Sequence, residues 1–175
     1  MSDFLSTLPA VYVGSGALIT DEDGRVLLVK PTYKPGWEIP GGAMDAGEYP
    51  RETLRRELAE ELGLALEPGR LLVVDFMLAR PERPRPSIMY VFDCGRLTAA
   101  QHAAIVLQKE ELSEYRYVGS AELDRHLTGR LLRRMRAAHR GLTSGEGPID
   151  LENGYLPGAA RGAAPDDADP RHPLD

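Results

Sequence analysis

Apolar and polar positions along the chain follow two different periods. Val11 to Ile19 and Val26 to Val29 are rich in β-branched and aliphatic residues. Asp21 to Gly24 between them is turn chemistry, so the pair predicts a β-hairpin. Pro31 to Gly42 carries Pro31, Pro35, Gly36, Pro40, Gly41 and Gly42, which predicts a loop or short irregular strand with Trp37 and Ile39 as anchors. From Pro50 the period becomes helical. Leu54, Leu58 and Leu62 recur every four residues, Pro50 suits a first helical position, and Gly63 supplies the C-terminal cap. Tyr49 stands at the N-cap and is poorly suited to it.

Leu71 to Leu78 and Ser87 to Phe92 read as two further strands. Pro81, Pro84 and Pro86 alternate with Arg80, Arg83 and Arg85 in their connection, which could lean over a cleft or simply keep the surface soluble. Tyr115 to Val118 reads as a short strand. Ala121 to His126 and Leu127 to Leu142 read as helices, the second with Leu131, Leu132, Met135 and Ala138 on one side. Arg130, Arg133, Arg134, Arg136 and Arg140 are expected on its solvated face. Strands, helix, strands and helix in that order predict an α/β fold with a mixed sheet and helices packed on it. Gly14-Ser15-Gly16 lacks the lysine and spacing of a phosphate loop and is expected to mark a strand irregularity.

Composition shifts near Thr143. Ile149 to Tyr155 is expected to dock as a last extended piece, which sets a domain over residues 1–156. The Pro-, Ala-, Gly- and Asp-rich stretch 157–175 has too few apolar side chains for a core and is expected to be disordered. At 175 residues, 42% apolar and 27% charged, the chain supports one self-sufficient core. Its net charge of −6 argues against nucleic acid or an anionic membrane as the main partner. Cys94, the single cysteine, excludes an intramolecular disulfide and suits a reducing, cytoplasmic compartment. Neither a basic leader nor a run of about 18 apolar residues is present, so no membrane span is expected. A homodimer is compatible with all of this.

Candidate chemistry sits on the Pro50 helix. Glu57, Glu60 and Glu61 share an arc of about 100° on one face. Like charges at these spacings cost a few tenths of a kcal/mol per pair, which a divalent cation removes. Glu57 and Glu61 border the leucine stripe, at the edge of the packed face. Oxygen ligands select magnesium or manganese, and magnesium commonly bridges carboxylates to substrate phosphates. On these residues alone a solvated acidic face remains the alternative.

The spacing around them decides between the two. From Gly42 the chain runs through five residues to Glu48 and seven more to Arg56, Glu57, Leu58, Ala59, Glu60, Glu61, Leu62, Gly63 and Leu64. This resembles the Nudix box at every fixed position, a chance match of below roughly one in a hundred million at a given start under average residue usage. Trp37-Glu38-Ile39-Pro40-Gly41 leading in extends the resemblance, which spans about Val11 to Leu142.

What the resemblance implies is a Nudix-like α/β/α sandwich with a mixed sheet, and a metal-dependent hydrolase using Mg2+ or Mn2+. Its substrate would be a small phosphorylated molecule, a nucleoside diphosphate linked to another moiety. By resemblance, Glu57, Glu60 and Glu61 with the Gly41 carbonyl hold metal, Arg56 orients Glu57, and Glu48 and Gly42 support the site. Glu111, in the loop Gln108-Lys109-Glu110-Glu111-Leu112, matches a further family carboxylate, and the base is Glu57 or Glu111. Lys30, Lys34 and Arg80 are candidates to meet substrate phosphates, and Tyr33 to stack on a base. Nucleoside triphosphates, ADP-ribose or nucleotide sugars, and dinucleoside polyphosphates all remain open as substrates. A non-catalytic nucleotide-binding module is the rival reading, disfavoured because every box glutamate is kept.

Overall fold

The computed structural model describes residues 2–81 and 83–159. Seven strands form one mixed sheet: β1 Tyr12–Thr20, β2 Val26–Pro31, β3 Gly41–Ala43, β4 Leu71–Met77, β5 Ser87–Arg96, β6 Leu112–Val118 and β7 Ile149–Glu152. Their order is β6-β2-β1-β5-β4-β7, with β3 beside β1. β1 is parallel to β5 and antiparallel to β2 and β3. β2 touches β1 in register only where Thr20 faces Val26, which leaves the other end of that edge to β3 at Gly14, Ser15 and Gly16.

Alternation along the strands splits the core between the two faces. Ala17, Ile19, Leu27 and Val29 pack with Leu54, Leu58 and Leu62 of α2 (Pro50–Leu62). Those three leucines are fully buried, each adding roughly 1.5–3 kcal/mol of apolar burial. Leu18, Val26, Leu28, Val73 and Val91 pack on the opposite face, against Leu123, Leu127, Leu131, Met135 and Ala138. These last come from a 3-10 turn, Ser120–Arg125, and from the long helix Gly129–Ser144. The product is an α/β/α sandwich. Two short helices, α1 (Ser2–Thr7) and α3 (Ala99–Ala103), complete the described elements.

Several expectations are corrected. Ala121 to His126 is a 3-10 turn rather than an α-helix, and the strand expected at Tyr115 begins at Leu112. Gly14-Ser15-Gly16 keeps unbroken register with β5, and the shift falls between Leu18 and Thr20. Small residues there serve close approach, because a Cβ on Gly16 would stand 2.5 Å from Ile39 Cδ1. Arg134 is buried, not solvated, paired to Asp75 on β4 at 2.9 Å. Arg83 of the arginine-proline connection is also buried. The expected last piece docks as β7, parallel to β4. Residues 160–175 of the expected tail lie outside the described residues.

Candidate active site

α2 carries the carboxylates and β3 receives them. Gly63 caps the helix in the left-handed conformation, φ 68°, as its sequence position predicts. At the other end the Tyr49 phenol makes no cap bond, and the Glu52 carboxylate accepts the Tyr49 N–H at 2.8 Å. Ser15 Oγ donates to the Pro50 carbonyl at 2.7 Å, tying the first helical turn to β1.

The glycine pair sets the gap between helix and sheet. Gly41 has φ +135°, and a Cβ there would strike the Ser15 carbonyl oxygen. At Gly42 the obstacle is different, because an added Cβ would fall on the Glu57 carboxylate itself. Its φ is ordinary and the obstructing group is the end of a flexible side chain. Gly42→Ala is therefore expected to melt within a few degrees of the parent while losing at least about tenfold in kcat, since displacement of Glu57 costs geometry rather than packing. Parallel thermal melts and steady-state kinetics check it, and an unchanged kcat would separate Glu57 from the chemistry.

Arg56 organises the acidic groups. Its Nε and Nη2 donate to Glu48 at 2.8 and 3.1 Å, and Nη1 donates to Glu57 Oε1 at 2.9 Å and Glu60 Oε2 at 3.1 Å. Nη2 also reaches the Ala43 carbonyl at 3.1 Å, joining the array to the end of β3. Glu48 further accepts the Thr53 hydroxyl at 2.8 Å and the Asp45 N–H at 3.1 Å. These bonds, Arg56 first, hold the Glu48 carboxyl down at about 2.

Glu61 behaves oppositely. Burial pushes its carboxyl up to about 8, the charges of Glu57, Glu111 and Glu38 add to this, and the Gly41 N–H at 2.8 Å opposes it. Burial also raises Glu57, against the pull of Arg56. Two carboxylates next to each other on a packed helix face, both resisting ionisation, form a donor set that suits a divalent cation. Glu60 is half exposed and turned to Arg56. Accordingly, no three acidic or histidine side chains among the described residues converge closely enough to hold a metal as they stand.

Glu111 joins from the opposite side through backbone bonds. Val106 N–H donates to the Leu62 carbonyl at 2.9 Å and Gln108 N–H to the Glu61 carbonyl at 3.1 Å, while Thr32 N–H donates to the Glu111 carbonyl at 2.8 Å. The loop is thus strung between the end of α2 and the end of β2. Lys34 pairs with Glu38 at 3.1 Å. Burial raises the neighbouring Tyr33 phenol, Lys34 opposes the shift, and Glu38, Glu61 and Glu111 add to it, which brings this turn to the rim of the site. Lys30 sits apart, 3.8 Å from Glu114 and over the Trp37 ring at 5.8 Å. Arg80 belongs to the β4–β5 turn, where its backbone pairs with Arg83. Glu38 is a member that residue-by-residue reading missed, and its signal lay in the Trp37-Glu38 lead-in to the glycine pair. Two open pockets of about 380 and 290 Å3, at Thr20 to His139 and at Asp21 to Tyr117, lie away from the carboxylates.

A model of the NUDIX domain matches residues 12–142. The chain belongs to the Nudix hydrolase family. An RNA pyrophosphohydrolase of Halorhodospira halophila is 43% identical over 49 residues, 28% of this Nudix chain and 27% of that protein. The chain thus matches about a quarter of that relative's length. A MutT-like protein of Streptomyces ambofaciens is 33% identical over 116 residues, 62% of this chain and 72% of the relative. Among solved structures, the MutT protein from Methanosarcina mazei Go1 superposes with a TM-score of 0.62 at 24% identity, covering 78% of this chain and 96% of that one. A UDP-X diphosphatase gives 0.65 at 18% identity, covering 86% and 75%. At these identities the structures speak to the fold alone.

Proposed function

We propose that this Nudix chain hydrolyses the diphosphate linkage of a nucleoside diphosphate joined to another moiety. The observation that carries the reading is the Glu57–Glu61 pair: Glu61 buried and Glu57 half-buried, the Glu57 charge raising Glu61, and backed by glycines that leave no room for another side chain. Glu57 and Glu61, with Glu60 after rotation of its exposed side chain and with the Gly41 carbonyl, would hold Mg2+ or Mn2+. When bound, such a cation neutralises the diphosphate and makes water a better nucleophile.

The chain's own residues do the rest. Arg56 and Glu48 fix Glu57 so that its carboxylate does not wander on binding substrate. Glu111 is exposed and has a Gln108 amide contact at 3.2 Å, so it is the better placed to take the proton from attacking water, leaving Glu57 committed to the cation. Lys34, paired with Glu38 at 3.1 Å, and Tyr33 would meet the substrate's phosphates and its base from the rim.

Substrate identity rests on the class alone. The pyrophosphohydrolase matches cover less than a third of this chain, so an RNA carrying a pyrophosphate linkage is one candidate beside nucleoside triphosphates, ADP-ribose, nucleotide sugars and dinucleoside polyphosphates. A panel of these compounds with magnesium or manganese tests the reading. Expected is cation-dependent release of a monophosphate product bearing one oxygen from labelled water. No hydrolysis anywhere in the panel, with nucleotide binding retained, would favour the non-catalytic module.

A further inference from the structure

Beneath the turn joining β4 to β5 lies a second concentration of charge. Arg83 is 8% exposed and Arg134 6%, and Asp75 is fully buried between them and β7. Both Asp75 oxygens are engaged. Oδ2 accepts Arg134 Nε at 2.9 Å, and Oδ1 accepts the Gly154 N–H at 2.9 Å. Arg83 has poorer company, Met77 Sδ at 3.8 Å and the Leu78 carbonyl at 3.5 Å, and its Nε has no hydrogen-bond partner.

Ser87 shares the position. It faces Met77 across the β4–β5 ladder, and directly opposed residues lie on the same side of a sheet. It is 6% exposed, and its hydroxyl has no partner either. Arg134 Nη2 lies 3.0 Å from the same Met77 sulfur. The thioether, a weak acceptor, is therefore approached by two guanidinium groups, and Ser87 stands opposite its residue on the neighbouring strand.

Charge decides what fits there. Among the described residues the charged groups facing Arg83 are Arg80, Arg134 and Asp75. Among the described residues two buried guanidiniums face one carboxylate, an excess of positive charge that is costly unless something anionic completes it. Water would satisfy the free N–H and O–H but leave the charge. An oxyanion satisfies both, because two of its oxygens match the guanidinium fork and accept from a hydroxyl.

We infer that Arg83 and Ser87, with Arg134 behind them, form a binding site for a small oxyanion, a phosphate or carboxylate group. This stands on packing at the β4–β5 turn and is independent of the hydrolase reading. The anion comes either as a free ion or as an arm of a larger ligand.

The test uses the full chain in EDTA, at constant ionic strength, with inorganic phosphate as the probe. Phosphate is expected to raise the wild-type melting temperature by roughly 3 °C or more at about 30 mM, as millimolar binding predicts. Arg83→Met is expected to melt higher than wild type without phosphate and to lose the phosphate response. Ser87→Ala should weaken the response. In wild type the Arg83 Nε–H resonance should move saturably, which keeps the proposal testable if Arg83→Met does not fold. Equal phosphate shifts in wild type and Arg83→Met, or a stationary Arg83 Nε–H resonance, would overturn it. The source is read from kinetics with whichever substrate the panel identifies. Roughly tenfold or larger growth of KM in Arg83→Met, with phosphate competing against substrate in wild type only, marks an arm of the substrate. A phosphate response without competition marks a free ion, and either result supports the site.

Discussion

Glu57→Gln and Glu61→Gln are each expected to lower kcat by at least about a hundredfold with the fold intact, because each removes a charge from the proposed cation-binding edge of α2 without removing volume. Circular dichroism and a thermal melt establish folding, and steady-state rates with saturating magnesium establish the loss. The two sites should differ in how they fail. Glu57 is held by Arg56 at 2.9 Å, so its amide leaves the guanidinium with Glu48 and Glu60 and perturbs the array around it. Glu61 is held by the Gly41 N–H, which an amide oxygen accepts equally well, so Glu61→Gln changes charge almost alone. Near-normal turnover in both variants would move the chemistry elsewhere.

Without cation the same residue makes stability depend on pH. The Glu61 carboxyl is raised in the folded state to about 8 from an ordinary value near 4.5. Its contribution is fully present below about pH 4.5 and is lost as the pH rises through 8. In EDTA the melting temperature is therefore expected to fall by several degrees between pH 5.5 and 8.5. Glu61→Gln should flatten that slope and melt higher at the alkaline end, and magnesium should restore the wild type there. Glu48, lowered to about 2, works in a separate window, losing its contribution only as the pH falls below about 4.5. A slope unchanged by Glu61→Gln would place the titrating group elsewhere.

Why some of this was legible in the sequence, and some not, follows from the range of the interactions. Pro50, the leucines at every fourth position and Gly63 are local signals, and α2 spans Pro50–Leu62 as they predict. Hairpin chemistry at Asp21 to Gly24 is equally local. β3 was hidden because glycines carry no apolar period, and their role appears only when β1 arrives against them. Glu52 and Arg56, a plausible pair by spacing, part company because Glu48 offers the guanidinium two oxygens and the Tyr49 N–H needs an acceptor. Glu111 could be singled out by resemblance but not positioned. What brings it to Glu61 is a set of carbonyls at the end of a helix about fifty residues earlier. The arginine helix misled for a similar reason. A run of arginines looks solvated until a strand supplies a buried carboxylate to one of them.

Asp75 is that carboxylate, and Asp75→Asn is expected to be among the most destabilising substitutions of its size in the chain. It keeps the shape and the capacity to accept from the Gly154 N–H, but removes the charge facing Arg134 and Arg83. Breaking one side of a buried ion pair typically costs about 3–5 kcal/mol. In a chain of this length that corresponds to roughly 6–20 °C in melting temperature. The loss should concentrate at β7, which is joined to the rest of the sheet through β4 and through the Asp75–Gly154 contact, so amide exchange at Ile149 to Glu152 should accelerate before that of β1 or β5. A double variant separates charge from packing. Asp75→Asn with Arg134→Met keeps an acceptor for the Gly154 N–H, removes both charges of the pair and should recover part of the loss, since removing both partners of a buried pair costs less than removing one. If Asp75→Asn melts within about 2 °C of wild type, the guanidiniums must be reaching water, and the buried charge excess behind the oxyanion site would disappear with that result.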